Sequence, residues 1–81
     1  NPKSTLQEIT LKQWQKLPEY THAFSEKGVK TTVSAGGKRK ASALHKIKRE
    51  SEVLAARALI RKLRKEFRKQ KIRARKRGSG S

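Results

Sequence analysis

Several residue types that usually stabilise a small domain or equip it for chemistry are absent or scarce here. The chain has no cysteine, which excludes disulfide bonds and any zinc site built on thiolates. Two histidines are too few for a metal cage. No apolar run approaches the ~20 residues of a membrane span, and no signal-peptide pattern is present. The 81 residues allow one domain with a thin core.

Catalytic machinery is also missing from the sequence. We find no carboxylate cluster for a metal pair, no glycine-rich phosphate loop and no nucleophile–base set. We therefore expect these residues to have no enzymatic activity, no cofactor and no small-molecule substrate. The chain does not begin with Met and ends Gly78-Ser79-Gly80-Ser81. We expect it to be a piece of a larger protein, such as a ribonuclease or helicase, with a terminal linker.

Positive charge is what the chain has in excess. Lys and Arg number 23 against 6 Asp and Glu, which gives a net charge of +17. Repulsion among so many positive charges opposes compaction. Solubility does not require this excess, because a surface with charges of both signs is equally soluble. A polyanion would relieve the repulsion, with nucleic acid the first candidate and an anionic membrane surface the second. We expect a nucleic acid, and no membrane, as the partner.

The hydrophobic pattern begins as helical and then becomes strand-like. Residues 1–17 predict a helix with Ser4 as N-cap and Gln7 completing a capping box, ended by Pro18. Its predicted buried stripe is Leu6, Thr10, Trp14 and Leu17. Residues 19–43 then predict three short strands.

The first predicted strand runs from Tyr20 to Phe24, with both aromatic side chains in the core. The turn Ser25–Gly28 leads into an alternating strand, residues 29–35, and Gly36-Gly37 marks the next turn into a weak strand, residues 38–43. From about residue 46 the period is helical again. The predicted buried face of this helix comprises Val53, Ala56, Ile60, Leu63 and Phe67.

Basic residues crowd the end of this second helix. Eleven of the 23 lie in positions 61–77, far more than a helix dipole needs. We expect residues 67–81 to project as a frayed helix or disordered tail. The basic run 69–77 is equally typical of a nuclear or nucleolar signal and of a phosphate-binding tail, so the sequence does not identify the intracellular compartment. The cations of the second helix that we expect to bind phosphate are Arg61, Arg64, Lys65, Arg68 and Lys69.

Two stretches resemble a known family. Residues 1–8 are Asn-Pro-Lys-Ser-Thr-Leu-Gln-Glu, and residues 18–20 are Pro-Glu-Tyr. Residues 48–59 have paired basic residues, an acid, a small residue, an acid and then an Ala-Ala pair. Together with the element order, these stretches resemble the double-stranded-RNA-binding domain family over about residues 1–63. The first half looks like the domain at the end of bacterial-type ribonuclease III.

The resemblance implies an α+β fold and a domain boundary. The expected order is α-β-β-β-α, with two helices packed on one face of a three-stranded antiparallel sheet. Residues 1–66 would form the domain, and residues 67–81 a basic C-terminal helical extension with a Gly/Ser tail.

The resemblance also implies a binding surface for RNA. A-form RNA exposes 2′-hydroxyls in its shallow minor groove and phosphates along its backbone. Polar side chains of the first helix would contact sugars, and cations at the start of the second would bind phosphates. The residues implied are Ser4, Gln7, Glu8, Lys27, Lys46, Lys48 and Arg49.

Each of these residues also has a simpler explanation. Ser4 and Gln7 could only cap their helix, Glu8 could pair with Lys12, and the lysines could form a solvated basic surface. We expect His45 to be a loop residue and Trp14 to be a core residue, not a base-stacking one.

Two departures from the family keep other functions open. The loop Ser25–Gly28 is short and lacks the Pro and His that enter a second minor groove, and Glu52 stands where a third basic residue often follows. Our first hypothesis is that the chain binds duplex RNA with little base specificity, as a module of a larger RNA-processing protein. The alternatives are a protein-interaction module that uses the sheet or a helix, and a basic segment that binds nucleic acid unspecifically.

Overall fold

The computed structural model describes the backbone of residues 1–79 and the side chains of residues 1–71. The elements are α1 (Pro2–Trp14), β1 (Glu19–Ser25), β2 (Gly28–Ala35), β3 (Arg39–His45) and α2 (Lys48–Ser79). The strands form one antiparallel sheet in the order β1-β2-β3. Helix α2 packs across β2 and β3, and α1 packs against α2. The predicted α+β fold is therefore confirmed.

Helix α1 begins earlier than predicted. The side chain of Asn1 is the N-cap and accepts a hydrogen bond from the backbone N–H of Lys3 at 3.0 Å. Pro2 follows in the first turn, where its fixed φ suits the helix and its missing N–H costs nothing. Ser4 lies inside the helix, so the prediction that it is the cap was wrong.

Helix α1 also ends earlier than predicted. Gln15 takes the left-handed conformation, with φ 55° and ψ 33°, and its N–H donates to the carbonyl of Leu11. This C-cap stops the helix before Pro18. Leu17 therefore lies beyond the helix and is 60% exposed, so its prediction as a core residue was wrong.

The two predicted turns join the strands. Glu26 and Lys27 connect β1 to β2, and Gly28 has φ +133°. A Cβ on Gly28 would lie 2.6 Å from the carbonyl oxygen of His45, and one on Gly36 would lie 2.6 Å from the Trp14 ring. Both glycines are required because the backbone passes close to another element at a positive φ.

The core lies between α2 and the sheet, and α1 closes one side. Trp14 and Tyr20 are half-buried and pack against it. Phe24 was predicted in the core but is 71% exposed, because it lies near the end of edge strand β1 and α2 packs mainly on β2 and β3. The buried apolar residues of this core cluster are Leu6, Val33, Ala35, Ala41, Ala55, Ala56, Leu59, Ile60 and Leu63.

A cluster around Trp14 connects α1, the start of β3 and α2. The guanidinium of Arg39 donates to both carboxylate oxygens of Glu66 at 2.7 Å and to the carbonyl of Gly36 at 2.6 Å. It also lies 4.9 Å from the Trp14 ring centroid, and the Phe67 ring lies 6.2 Å from that of Trp14. The Arg39 hydrogen bonds lower the pKa of Glu66. Tertiary contacts therefore continue through Phe67.

Helix α2 runs past residue 66 to Ser79 without a break. The boundary at 66 stays a prediction, and the side chains of the predicted tail beyond residue 71 lie outside the described residues. None of the helices, within the part of the chain that the structure describes, is long and apolar enough to cross a membrane.

Candidate nucleic-acid interface

Three exposed cations surround the start of α2. Lys48 and Arg49 occupy its first turn, and Lys46 lies two residues before it. The first backbone N–H groups of a helix have no partner within the helix and carry the positive end of its dipole. Cations and free amides thus meet at one place, an arrangement suited to a phosphate group.

Buried hydroxyl groups fix this helix start to the sheet. The Ser51 hydroxyl donates to the carbonyl of Lys48 at 2.6 Å and lies 2.6 Å from the Thr31 hydroxyl. Because Ser51 has one hydroxyl proton, Thr31 must be the donor in the second contact. Both side chains are fully buried. These hydrogen bonds therefore fix the first turn of α2, which carries Lys48 and Arg49, against β2.

Glu52 joins α1, β1 and α2. Its Oε1 accepts a hydrogen bond from Lys3 Nζ at 2.9 Å, and its Oε2 lies 2.7 Å from His22 Nε2. The hydrogen bond from Lys3, followed by that from His22, lowers the pKa of Glu52 although burial opposes the shift. Burial, with a smaller contribution from Glu52, raises the pKa of Tyr20. Glu52, which stands where the family often has a basic residue, therefore links α2 to α1 and β1.

The outward face of α1 carries the three predicted sugar-contacting residues. Ser4, Gln7 and Glu8 are all exposed, and their spacing places them on one side of the helix. Among the side chains of residues 1–71, those of Gln7 and Glu8 have no hydrogen-bond or ion-pair partner. The capping role of Gln7 and the pair of Glu8 with Lys12 are therefore not formed.

The β1–β2 turn lies against the junction between β3 and α2. A Cβ on Gly28 would come within 3.0 Å of the Cα of Lys46, so exposed Lys27 joins the cations at the start of α2. Helices α1 and α2 run side by side in the same direction, because Lys3 contacts Glu52 near their starts and Trp14 contacts Phe67 farther along. The structure therefore places the four cations together at the start of α2 and puts the start of α1, which carries Ser4, beside it, with Gln7 and Glu8 one turn farther along α1. We call this set the N-terminal surface: Ser4, Gln7, Glu8, Lys27, Lys46, Lys48 and Arg49.

The five cations predicted to bind phosphate in the second half of α2 do not reach the N-terminal surface. The first of them lies 13 residues beyond Lys48, about 20 Å along the helix. All five are exposed, and nearby Lys62 Nζ donates to the carbonyl of Lys40 at 2.9 Å. These residues are Arg61, Arg64, Lys65, Arg68 and Lys69.

Sequence reasoning missed the residues that position this surface. Lys3 and Glu52 lie 49 residues apart, and Thr31 and Ser51 lie 20 apart, so no local pattern links them. The start of α1 did have a local signal in the Asn1-Pro2 step, because Asn is a favoured N-cap and Pro a favoured first helical residue. His45, predicted as a loop residue, ends β3, and its Nδ1 accepts from the N–H of Ile47 at 3.0 Å.

Comparisons with known proteins agree with this geometry. The sequence profile of the double-stranded RNA binding motif matches residues 2–63. No curated protein matches the chain. The solution structure of RDE-4(32-136) is similar, with a TM-score of 0.75 and 19% identity.

That structural similarity covers 83% of this chain and 63% of the other. At this level of identity it supports the fold alone. The profile match includes both helices up to the last buried leucine, and all three strands. The chain therefore belongs to the double-stranded RNA binding motif family.

Proposed function

We propose that this chain binds double-stranded RNA through its N-terminal surface. The observation that carries the proposal is the convergence of four exposed cations from two separate segments at the free amides of α2. A helix N-terminus flanked by lysine and arginine favours phosphate because the charges and the N–H donors act on the same group. Lys27 and Lys46 add further positive charge beside this helix start.

The outward face of α1 supplies the second half of the recognition. Gln7 can donate and accept, and Glu8 can accept a proton from a 2′-hydroxyl. A carboxylate is repelled by phosphate, so Glu8 is useful only if it faces sugars. Because 2′-hydroxyls are absent from DNA, this face would distinguish RNA from DNA with little dependence on base sequence.

The β1–β2 turn limits the span of the contact. Only Glu26 and Lys27 lie between the strands, and Gly28 packs against the β3–α2 junction. A turn of this length cannot extend far from the sheet. We infer that Lys27 contributes a phosphate contact and that the second minor groove is contacted weakly.

We infer that the chain acts as a module of a larger RNA-processing protein, without catalysis in these residues. The Pro-Lys opening and Pro18-Glu19-Tyr20 support a relation to the domain of bacterial-type ribonuclease III. A protein-interaction role is the alternative. The observation that favours it is exposed Phe24 on edge strand β1, whose ring lies 6.4 Å from that of His22.

A pair of matched double variants tests the RNA-binding proposal. Lys48→Ala/Arg49→Ala removes two charges from the N-terminal surface. Lys38→Ala/Lys40→Ala removes two exposed charges from the other end of the sheet. Affinity for RNA and DNA duplexes of equal length would be measured by fluorescence anisotropy at several salt concentrations.

We expect the first variant to lower RNA affinity more than DNA affinity and to reduce the salt slope by about 2. The control variant should weaken both duplexes slightly and equally. If the two variants behaved alike, the N-terminal surface would not be the RNA contact. In that case, loss of binding on Phe24→Ala in a partner-capture assay would favour the protein-interaction role.

A further inference from the structure

The side of α2 that faces away from the core carries a line of arginines. Spacings of four, three and four residues place them on one helix face, and all are exposed. The buried positions of α2 lie on the opposite side. We call this line the arginine stripe: Arg57, Arg61, Arg64 and Arg68.

No acidic side chain neutralises the stripe among residues 1–71. The ion pairs there are Lys3–Glu52, His22–Glu52 and Arg39–Glu66. Like charges at spacings of three and four destabilise a helix, and a solvated surface would relieve this with acids interspersed. A repeated arginine without acids is explained by an anionic partner that offers charges at intervals.

The stripe is too far along α2 to share the duplex held at the helix start. A helix that meets phosphate with its N-terminal amides points its axis at that phosphate, so later residues lie progressively farther away. Arg57 stands about 14 Å and Arg68 about 30 Å beyond Lys48 along the axis. This step rests on the proposed function, because it takes the first duplex to lie at the N-terminal surface.

The residue type and its regular spacing along α2 suit a row of phosphodiesters. Arginine forms two parallel hydrogen bonds to a phosphate, whereas lysine acts as a point charge. One arginine recurs every 5–6 Å of helix, about one per turn. A membrane-bound helix would need apolar residues beside its cations, and the apolar face of α2 is buried in the core.

A shallow groove lies at the far end of the stripe. Arg64, Arg68 and Lys71 line it together with half-buried Phe67, and its volume is about 300 Å³. Three cations around an apolar floor suit a sugar-phosphate backbone, whose ribose can lie against the ring.

We propose that the arginine stripe is a second nucleic-acid-binding surface, which holds the backbone of a second RNA duplex. One chain then bridges two duplexes, the first at the N-terminal surface and the second along α2. The second contact recognises phosphates and lacks the sugar-contacting side chains of α1. It therefore accepts a DNA duplex as readily as an RNA duplex.

Energy transfer between two duplexes tests the proposal in the full chain. Donor-labelled and acceptor-labelled RNA duplexes of unrelated sequence are mixed with increasing protein. We expect transfer to rise and then to fall at protein excess, because excess chains separate the duplexes. An acceptor-labelled DNA duplex should serve as the second duplex equally well.

Two triple variants with equal loss of charge identify the surface. Arg57→Gln/Arg61→Gln/Arg64→Gln should reduce transfer to background, while anisotropy shows that the first duplex still binds with an unchanged salt slope. The matched control is Lys30→Gln/Lys38→Gln/Lys40→Gln, three exposed cations of β2, β3 and the turn between them, which should retain transfer.

Each outcome separates this inference from the proposed function. Failure of the wild-type chain to bind the first duplex would contradict the proposed function. Normal binding without transfer, or equal loss of transfer in both triple variants, would overturn the arginine stripe alone. Displacement of the second duplex by poly-glutamate as readily as by duplex DNA would instead make the stripe an acidic-protein surface and would also overturn the inference.

Discussion

Replacing Phe67 with alanine in the full chain is expected to lower the free energy of unfolding by about 1.5–3 kcal/mol. Full burial of a phenylalanine contributes ~1.5–3 kcal/mol, and Phe67 is half-buried, so about half of this applies. Its ring lies 6.2 Å from that of Trp14, and an aromatic pair adds about 0.5–1.5 kcal/mol. For a domain of this size the loss corresponds to a melting-temperature decrease of roughly 6–24 °C.

Urea unfolding followed by tryptophan fluorescence measures this loss directly. Trp14 is the single tryptophan and contacts the residue that is changed. Exposed Lys69, two residues later, provides the control, because Lys69→Ala should change stability by no more than about 0.5 kcal/mol. A chain ending at residue 66 should show the same loss as Phe67→Ala, and one ending at 71 should not. If Phe67→Ala matched the control, contacts beyond residue 66 would not stabilise the domain.

Three further changes test the packing and the charge network. Gly36→Ala should cost about 1–3 kcal/mol in urea unfolding, because its Cβ would lie 2.6 Å from the Trp14 ring at a φ of +55°. A Gly36→Ala variant as stable as the wild-type chain would contradict the turn geometry. Leu6→Ala should cost ~2–5 kcal/mol and Leu17→Ala less than about 0.5 kcal/mol in thermal unfolding, and the reverse order would restore Leu17 to the core. The lowered pKa of Glu52 means that its stabilisation is complete above its ordinary value of 4.5 and is lost as pH falls through the folded-state pKa. Acid titration of Glu52→Gln should therefore show a shallower loss of stability than the wild-type chain, and identical acid limbs would exclude this role.

Hydrophobic periodicity predicted the order of the elements and most of the core, but not their edges. The helical stripe containing Leu6 is correct, yet Leu17 fails because a left-handed Gln15 ends α1 before the proline is reached. Alternation placed Phe24 on the same sheet face as Tyr20. It could not show that α2 packs mainly on β2 and β3 and leaves Phe24 exposed, because the position of the helix depends on tertiary packing.

The candidate site was predictable where its residues are local. Lys48 and Arg49 stand where the helical period resumes, so their place at a helix start follows from sequence. The positioning contacts were not predictable, because Glu52 and Ser51 find their partners through the fold. The arginine stripe was visible as charge in the sequence, but its separation from the N-terminal surface needed the continuous α2.

The most direct test of the central claim compares duplex RNA, duplex DNA and an RNA–DNA hybrid of the same sequence and length by anisotropy over a range of salt. If roughly six phosphates are contacted, affinity should fall on the order of a thousandfold between low and moderate salt. We predict that RNA binds more tightly than DNA at every salt concentration, because the 2′-hydroxyl contacts are not screened. Equal affinity for RNA and DNA across the titration would contradict the account and would identify the chain as an unspecific basic segment.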